Sequence, residues 1–241
     1  MRRDNPRYRA RMSSEVRRLW IPGPAGRLEA ALRLGEGDAC AVLAHPHPMH
    51  GGTLGNPVMF HADRALNRAG LSTLRFNFRG VGGSEGTHDE GRGEVEDVGA
   101  AVQWLHGLLR ERPCVLVGYS FGSWCAVRYA VAHPEVAAVV AIGLPVRTYG
   151  FETIPELRRP LAVVQPEHDE FGPPDEVRAV LAGADPPARV DVVPGATHLL
   201  PGRAPEAATK VVEAVSWCLP LSSGGGGRPG SPPPPRASRP A

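Results

Sequence analysis

With 241 residues, 42% of them hydrophobic and 22% charged, the chain can bury one sizeable core, and its longest nearly apolar run, VAAVVAIGLPV (136–146), is interrupted by proline and too short to span a bilayer. The formal net charge is +2, but residues 1–18 carry about +5 and residues 222–241 about +3, so the body of the chain is near −6. A mildly acidic body gives phosphate backbones little to hold, which argues against a nucleic-acid partner.

No apolar segment follows Met1, so no secretory signal is expected. Residues 1–14, rich in Arg but interrupted by Asp4 and Pro6, read as a disordered basic arm rather than a transit peptide. Strand-like and helix-like runs then alternate. VRRLWI (16–21) and RLEAALRL (27–34) alternate in polarity, the pattern of half-exposed antiparallel strands. CAVLAH (40–45), LSTLRFNF (71–78), CVLVGY (114–119), VAAVVAIG (136–143), LAVVQ (161–165) and RVDVV (189–193) are mostly continuous β-branched runs, as in a parallel sheet covered on both faces. Helical periodicity occupies 57–69, 93–110, 122–133, 174–182 and 204–218; Val95, Val98, Val102, Leu105 and Leu109 share one face. The end of the chain, SSGGGGRPGSPPPPRASRPA (222–241), has no apolar anchors to repay ordering entropy and reads as a disordered tail. The domain between, 15–221, is expected to be a three-layer α/β/α sandwich on a mostly parallel eight-stranded sheet. Cys40, Cys114, Cys125 and Cys218 form no C-x-x-C pair; the first two sit among apolar strand residues, where thiols behave as small hydrophobes. A reduced, cytoplasmic protein without a disulfide framework is expected.

The motif G-x-S-x-G occurs twice, as GGSEG (82–86) and GYSFG (118–122). In a chain this rich in glycine, composition alone yields roughly 0.15 such matches, so context must separate the two. A reactive serine on a strand-to-helix turn needs a buried strand running into it and a helix starting at once. GYSFG has both: Val115, Leu116 and Val117 precede Ser120, and Trp124, Val127 and Val131 follow on one side of a helix. Gly118 and Gly122 relieve crowding where a strained serine backbone must pass. GGSEG leads into the polar THDEGRGE and reads as a glycine-rich turn; it also falls short of a dinucleotide loop, since Glu85 stands where G-x-G-x-x-G needs glycine.

A serine hydroxyl is a weak nucleophile unless an imidazole takes its proton and a carboxylate orients that imidazole. On a strand-turn-helix scaffold of this kind the acid and the histidine follow the serine, each after a later strand. LAVVQPEHDEFGPPDE offers Asp169 as the acid, four residues past the strand, with Glu167 as the alternative. RVDVVPGATHLLPGR offers His198, in a glycine-containing loop, with His168 as the competitor.

The segments HPHPMHGGTLGN, LRFNFRGVGGSEG, GYSFG, EHDEF and GATHLLPGR, in this order, resemble the α/β-hydrolase superfamily. More narrowly, they resemble small capless bacterial hydrolases related to dienelactone hydrolase and CocE/NonD-type proteins. The resemblance spans roughly residues 15–219 and implies an α/β-hydrolase fold without a large lid, with a Ser–Asp–His triad at Ser120, Asp169 and His198. The dienelactone hydrolases resemble this fold with a cysteine nucleophile, so Ser120 departs from them and puts a dienelactone substrate in doubt.

In this fold the loop HPHPMHGG (45–52) follows the strand beside the nucleophile strand, a place that supplies half of an oxyanion hole. Pro46 and Pro48 have no N–H to give, so the amide of His47 is the first candidate donor and that of Met49 the second. The amide of Phe121, directly after the serine, is the other donor expected. The same loop offers H-x-H-x-x-H spacing, a zinc-hydrolase signature, but Met49 stands where that pattern has Asp and further ligands are not evident. The expectation is therefore a serine hydrolase cleaving an ester of a small molecule, with no metal or organic cofactor and no membrane partner. Only sixteen residues, 144–159, occupy the place where a lid would be inserted. A peptidase on the same triad and a non-catalytic binding protein of the same fold are the alternatives.

Overall fold

The computed structural model describes residues 15–110 and 112–220; the basic arm (1–14) and the Gly/Pro-rich tail (222–241) lie outside the described residues. One sheet holds eight strands: β1 (Arg17–Gly23), β2 (Gly26–Arg33), β3 (Cys40–Ala44), β4 (Ser72–Phe76), β5 (Cys114–Tyr119), β6 (Val136–Ile142), β7 (Leu161–His168) and β8 (Arg189–Thr197). Their spatial order is β1-β2-β4-β3-β5-β6-β7-β8. The pairs β1/β2 and β2/β4 are antiparallel and all other neighbours are parallel. Helices α1 (Pro57–Arg68) and α5 (Ala204–Cys218) cover one face. Helices α2 (Arg92–Leu108) and α3 (Phe121–Ala132) cover the other, with Val177 and Leu181 of α4 (Pro174–Leu181) joining that core. This is the expected three-layer sandwich. Among the described residues, no helix is long and apolar enough to cross a membrane.

Local chemistry accounts for the boundaries. Asn56 caps α1 by accepting from the amides of Val58 and Met59, and Pro57, which has no N–H to lose, takes the first helical position. At the start of α2 the buried carboxylate of Glu94 accepts from the amides of Gly91 (2.8 Å) and Asp89 (3.0 Å) and contacts His88 Nδ1 at 2.6 Å. Two backbone donors are thereby satisfied at a helix N-terminus, where negative charge is favoured. The loop after β4 is tied to α2 by a buried ion pair, Arg79 with Asp97 (2.8 Å), whose carboxylate also accepts from the Arg79 amide (2.9 Å).

Two features differ from the sequence reading. β2 is antiparallel, but from Ala30 to Arg33 it is buried on both sides rather than half exposed. It lies between β1 and β4, and its polar end is absorbed by α1: Arg33 Nε donates to Asp63 Oδ2 at 2.7 Å, and Thr73 Oγ1 donates to Asp63 Oδ1 at 2.5 Å. The second difference is length. β7 and β8 run three and four residues past the apolar runs that announce them, and His168 pairs with Thr197. The register shifts between Pro166 and His168, where the proline has no amide for the ladder, and the lost alternation hides the extension from the sequence.

Candidate active site

β5 is buried along its whole length and delivers Ser120 at its carboxyl end. Ser120 adopts φ 54°, ψ −118°, and α3 begins at the next residue. This backbone region disfavours a residue with a Cβ and costs of order 1–3 kcal/mol. The surroundings hold it: the Ser120 amide donates to Ile142 O of β6 (2.9 Å), and Ser123 Oγ donates to Ser120 O (2.6 Å). A Cβ on Gly122 would lie 2.3 Å from Ala44 O and 2.6 Å from His45 O, so glycine there lets α3 start against the end of β3.

Asp169 and His198 are not in free loops. Each is the residue directly after a strand, β7 and β8, and the His168/Thr197 pairing sets them side by side. His198 Nδ1 lies 2.8 and 2.9 Å from the Asp169 carboxylate oxygens, and His198 Nε2 lies 2.8 Å from Ser120 Oγ. Both are almost wholly buried, Asp169 1% and His198 4% exposed, so the carboxylate's field on the ring is weakly screened. Tyr119 Oη donates to His198 O (2.7 Å), which fixes the histidine backbone from β5.

Two residues of this cluster have no signal in the motifs. Gln165 is fully buried; its Nε2 donates to Asp169 Oδ2 (2.9 Å) and Gly172 O (2.6 Å), and its Oε1 accepts from the Leu144 amide (2.8 Å). One amide side chain thus locks the carboxylate to two loops; a polar residue ending the apolar run LAVVQ is the clue that was there to read. Gly143 follows β6 at φ 55°, and a Cβ there would stand 3.2 Å from His198 Cε1 and 3.3 Å from Asp169 Oδ2. Any larger residue would press on the imidazole.

The alternatives are placed elsewhere. Glu167 accepts from the Gly195 amide (2.6 Å) and braces the β8 end, and His168 is exposed. In the GGSEG turn, Ser84 Oγ donates to Asn77 O (2.8 Å) and accepts from the Glu29 amide (2.9 Å), so its hydroxyl is consumed in tying the turn to β2.

The histidine loop divides by function. His45 is fully buried at the end of β3: its Nδ1 contacts Pro46 O (2.7 Å), and its Nε2 accepts from the Phe78 amide (3.1 Å). Nδ1 therefore carries the proton and neither nitrogen is left for a metal. Burial holds the ring neutral, with its pKa lowered to about 4. His47 Nδ1 accepts from the Met49 amide (3.1 Å), which removes Met49 as an oxyanion donor. The rings of His47 and His50 stack at 4.6 Å, and burial, with His50 and His88 nearby, lowers the His47 pKa. Among the described residues, these loop histidines do not bring three ligand atoms together. The His47 ring lies 4.9 Å from that of Phe121, and among the described residues neither backbone amide has an acceptor. A cavity of about 210 Å³ opens over Ser120 and His198, with His47, His50 and Asn56 on its wall and Pro145, Tyr149, Phe171 and Leu199 as its apolar side. The 144–159 segment contributes only a 3-10 turn (Ile154–Glu156) and no inserted domain.

Comparison with known proteins agrees with this architecture. A family model described as alpha/beta hydrolase fold matches residues 49–171. An uncharacterized protein of Rickettsia prowazekii is 34% identical over 191 residues, 75% of this chain and 80% of its own length. The structure of an alpha-beta serine hydrolase homologue from Coxiella burnetii superimposes with a TM-score of 0.77 at 35% identity, covering 84% of this chain and 97% of that one. A serine hydrolase without lid from Xanthomonas campestris gives a TM-score of 0.78 at 28% identity, covering 86% and 96%. The chain belongs to the α/β-hydrolase fold family, among its small, capless bacterial members.

Proposed function

We propose that this hydrolase-fold protein is a serine hydrolase that cleaves the carboxylic ester of a small substrate through an acyl-enzyme on Ser120. The observation that carries the reading is the continuous chain of contacts from Ser120 Oγ to His198 to the buried Asp169, each about 2.8 Å long, at a strained strand-to-helix turn. Ser120 Oγ attacks the acyl carbonyl as His198 Nε2 takes its proton. Asp169 holds Nδ1–H and offsets the charge of the imidazolium. The amides of Phe121 and His47 receive the oxyanion; losing one such donor typically costs ~10²–10³ in rate. His198 returns the proton to the leaving alcohol, then deprotonates a water that releases the acid and restores Ser120. This cycle needs no group beyond the chain and water. The small cavity and the absence of an inserted lid in 144–159 favour short acyl groups over long lipids. Four free, buried thiols support a reducing, cytoplasmic setting.

A fluorophosphonate probe tests the nucleophile: wild-type chain is labelled and Ser120→Ala is not. Equal labelling of the two would remove Ser120 from the mechanism, and an unlabelled wild type would favour a non-catalytic binding protein. A panel of chromogenic esters and peptides tests the substrate class. Preference for long-chain esters, or turnover of peptides alone, would overturn the small-ester assignment.

A further inference from the structure

At the opposite edge of the sheet from Ser120, a second cluster of chemically active side chains has gone unused. Cys40 opens β3 and Cys114 opens β5, and the parallel register pairs these two residues directly. His106, in the last turn of α2, faces them across the helix-sheet interface. The two Sγ atoms and a ring nitrogen of His106 all lie within 4.8 Å of one another. Both cysteines are fully buried and His106 is half-buried.

These donors are poorly served by the protein. The carbonyl acceptors of the Cys40 and Cys114 thiols, Arg112 O and Val115 O, lie as far as 4.0 Å away. Among the described residues the His106 ring has no hydrogen-bond partner.

We propose that Cys40, Cys114 and His106 form a binding site for a thiophilic divalent cation of the Zn²⁺ class, which staples β3, β5 and α2 together. Two thiolates and an imidazole, with no carboxylate in the cluster, are a soft donor set that selects zinc over calcium or magnesium. Charge favours a divalent ion over a monovalent one: two thiolates and Zn²⁺ are neutral together, whereas the same pair with Cu⁺ would leave a net negative charge buried. Zn–S bonds of about 2.3 Å place two thiolates about 3.8 Å apart in a tetrahedron, so shifts of about 1 Å or less close the site. Two thiol protons leave on binding, and a water completes the tetrahedron from the exposed side of His106. The six residues of β5 separate this cluster from Ser120 by roughly 20 Å. The ion is therefore structural and cannot polarise a substrate there.

The test uses the full chain, reduced and stripped with a chelator, titrated with Zn²⁺ against a chromophoric competitor and with Co²⁺ as an optical probe. Expected are one Zn²⁺ per chain, a thiolate-to-cobalt charge-transfer band, and a thermal midpoint raised by roughly 5–10 °C at a hundredfold excess over Kd. Cys114→Ser removes the band, and Cys218→Ala, at a thiol outside the cluster, changes nothing. Because a buried Cys114 variant can fail to fold, His106→Gln decides the matter. At its half-exposed helix position it keeps the parent circular dichroism, and Zn²⁺ affinity drops by more than about tenfold. Equal affinity of wild type and His106→Gln overturns the site, as does a charge-transfer band that survives in Cys114→Ser. A wild-type chain that binds no Zn²⁺, including one that oxidises to a Cys40/Cys114 disulfide instead, also overturns it.

Discussion

His45 links the shape of the active-site loop to pH. Its ring is fully buried, donates from Nδ1 to Pro46 O and accepts at Nε2 from the Phe78 amide. It also packs edge-on against Phe78 at 4.7 Å. Protonating Nε2 would turn that acceptor into a donor facing another donor, at a fully buried position. The pKa falls from the ordinary imidazole value of 6.5 to about 4. In the unfolded chain His45 protonates near 6.5, so below that pH the unfolded state holds the extra proton and the folded state does not. The stability contribution is complete above about pH 6.5 and is lost as pH falls toward 4, a total of about 3 kcal/mol. His45→Gln keeps an acceptor for the Phe78 amide but cannot titrate. It starts about 1–2 kcal/mol less stable because the ring packing and the Pro46 bond are weakened. Urea unfolding from about pH 7.5 to about pH 4.5 would show the initial gap closing and then reversing in favour of His45→Gln, because only the wild type has this proton to gain and it loses about 2.5 kcal/mol over that range. Carboxylates elsewhere titrate in both proteins and cancel in the difference. Parallel stability curves, or a proton titration of His45 near 6.5 in the folded protein, would refute the reasoning.

Three further substitutions probe the support of the site. Gln165→Leu leaves the Leu144 amide and Gly172 carbonyl unpaired and frees Asp169 Oδ2; it should lower the unfolding free energy by about 1–3 kcal/mol and lower kcat with little change in KM. An unchanged kcat would show that Asp169 is positioned without it. Gly143→Ala places a methyl 3.2–3.3 Å from the imidazole and carboxylate at φ 55°. The expected outcome is a fluorophosphonate labelling rate reduced by more than about tenfold, with a backbone cost of only about 1–2 kcal/mol; wild-type labelling would mean the imidazole has room to spare. Asp97→Ala strands the Arg79 guanidinium, whose side chain is 9% exposed and whose remaining partner, Glu96, is 3.5 Å away. Urea titration should show a loss of about 3 kcal/mol or more, and a loss below about 1 kcal/mol would indicate that Glu96 or water takes over the pairing.

Much of this was legible in the chain because local chemistry and global fold agree. Short continuous apolar runs rich in β-branched residues, such as CVLVGY, read as buried strands, and this one is. The GYSFG serine stood out because strand, turn and helix signals converge there, and its decoy at Ser84 lacked the helix. The strand ends were less visible. Proline and polar residues after Gln165 and Val193 read as loop, yet cross-strand pairing carries both strands onward. Gln165, Gly143 and the Cys40/Cys114 pair were hidden for a related reason: what matters about each is its neighbour, and those neighbours are far away in sequence.

Taken alone, the order of residues determined the layer architecture, the strand-to-helix turn that carries Ser120 and the chemical types of the residues that meet it, because periodicity and turn chemistry act over a few residues. Which carboxylate meets which imidazole was decided by the sheet. The β7/β8 register pairs His168 with Thr197 and so sets Asp169 beside His198, while Glu167, two residues earlier, meets the Gly195 amide instead. The same ladder of backbone hydrogen bonds brings positions 40 and 114 into contact, a pairing that no local pattern encodes.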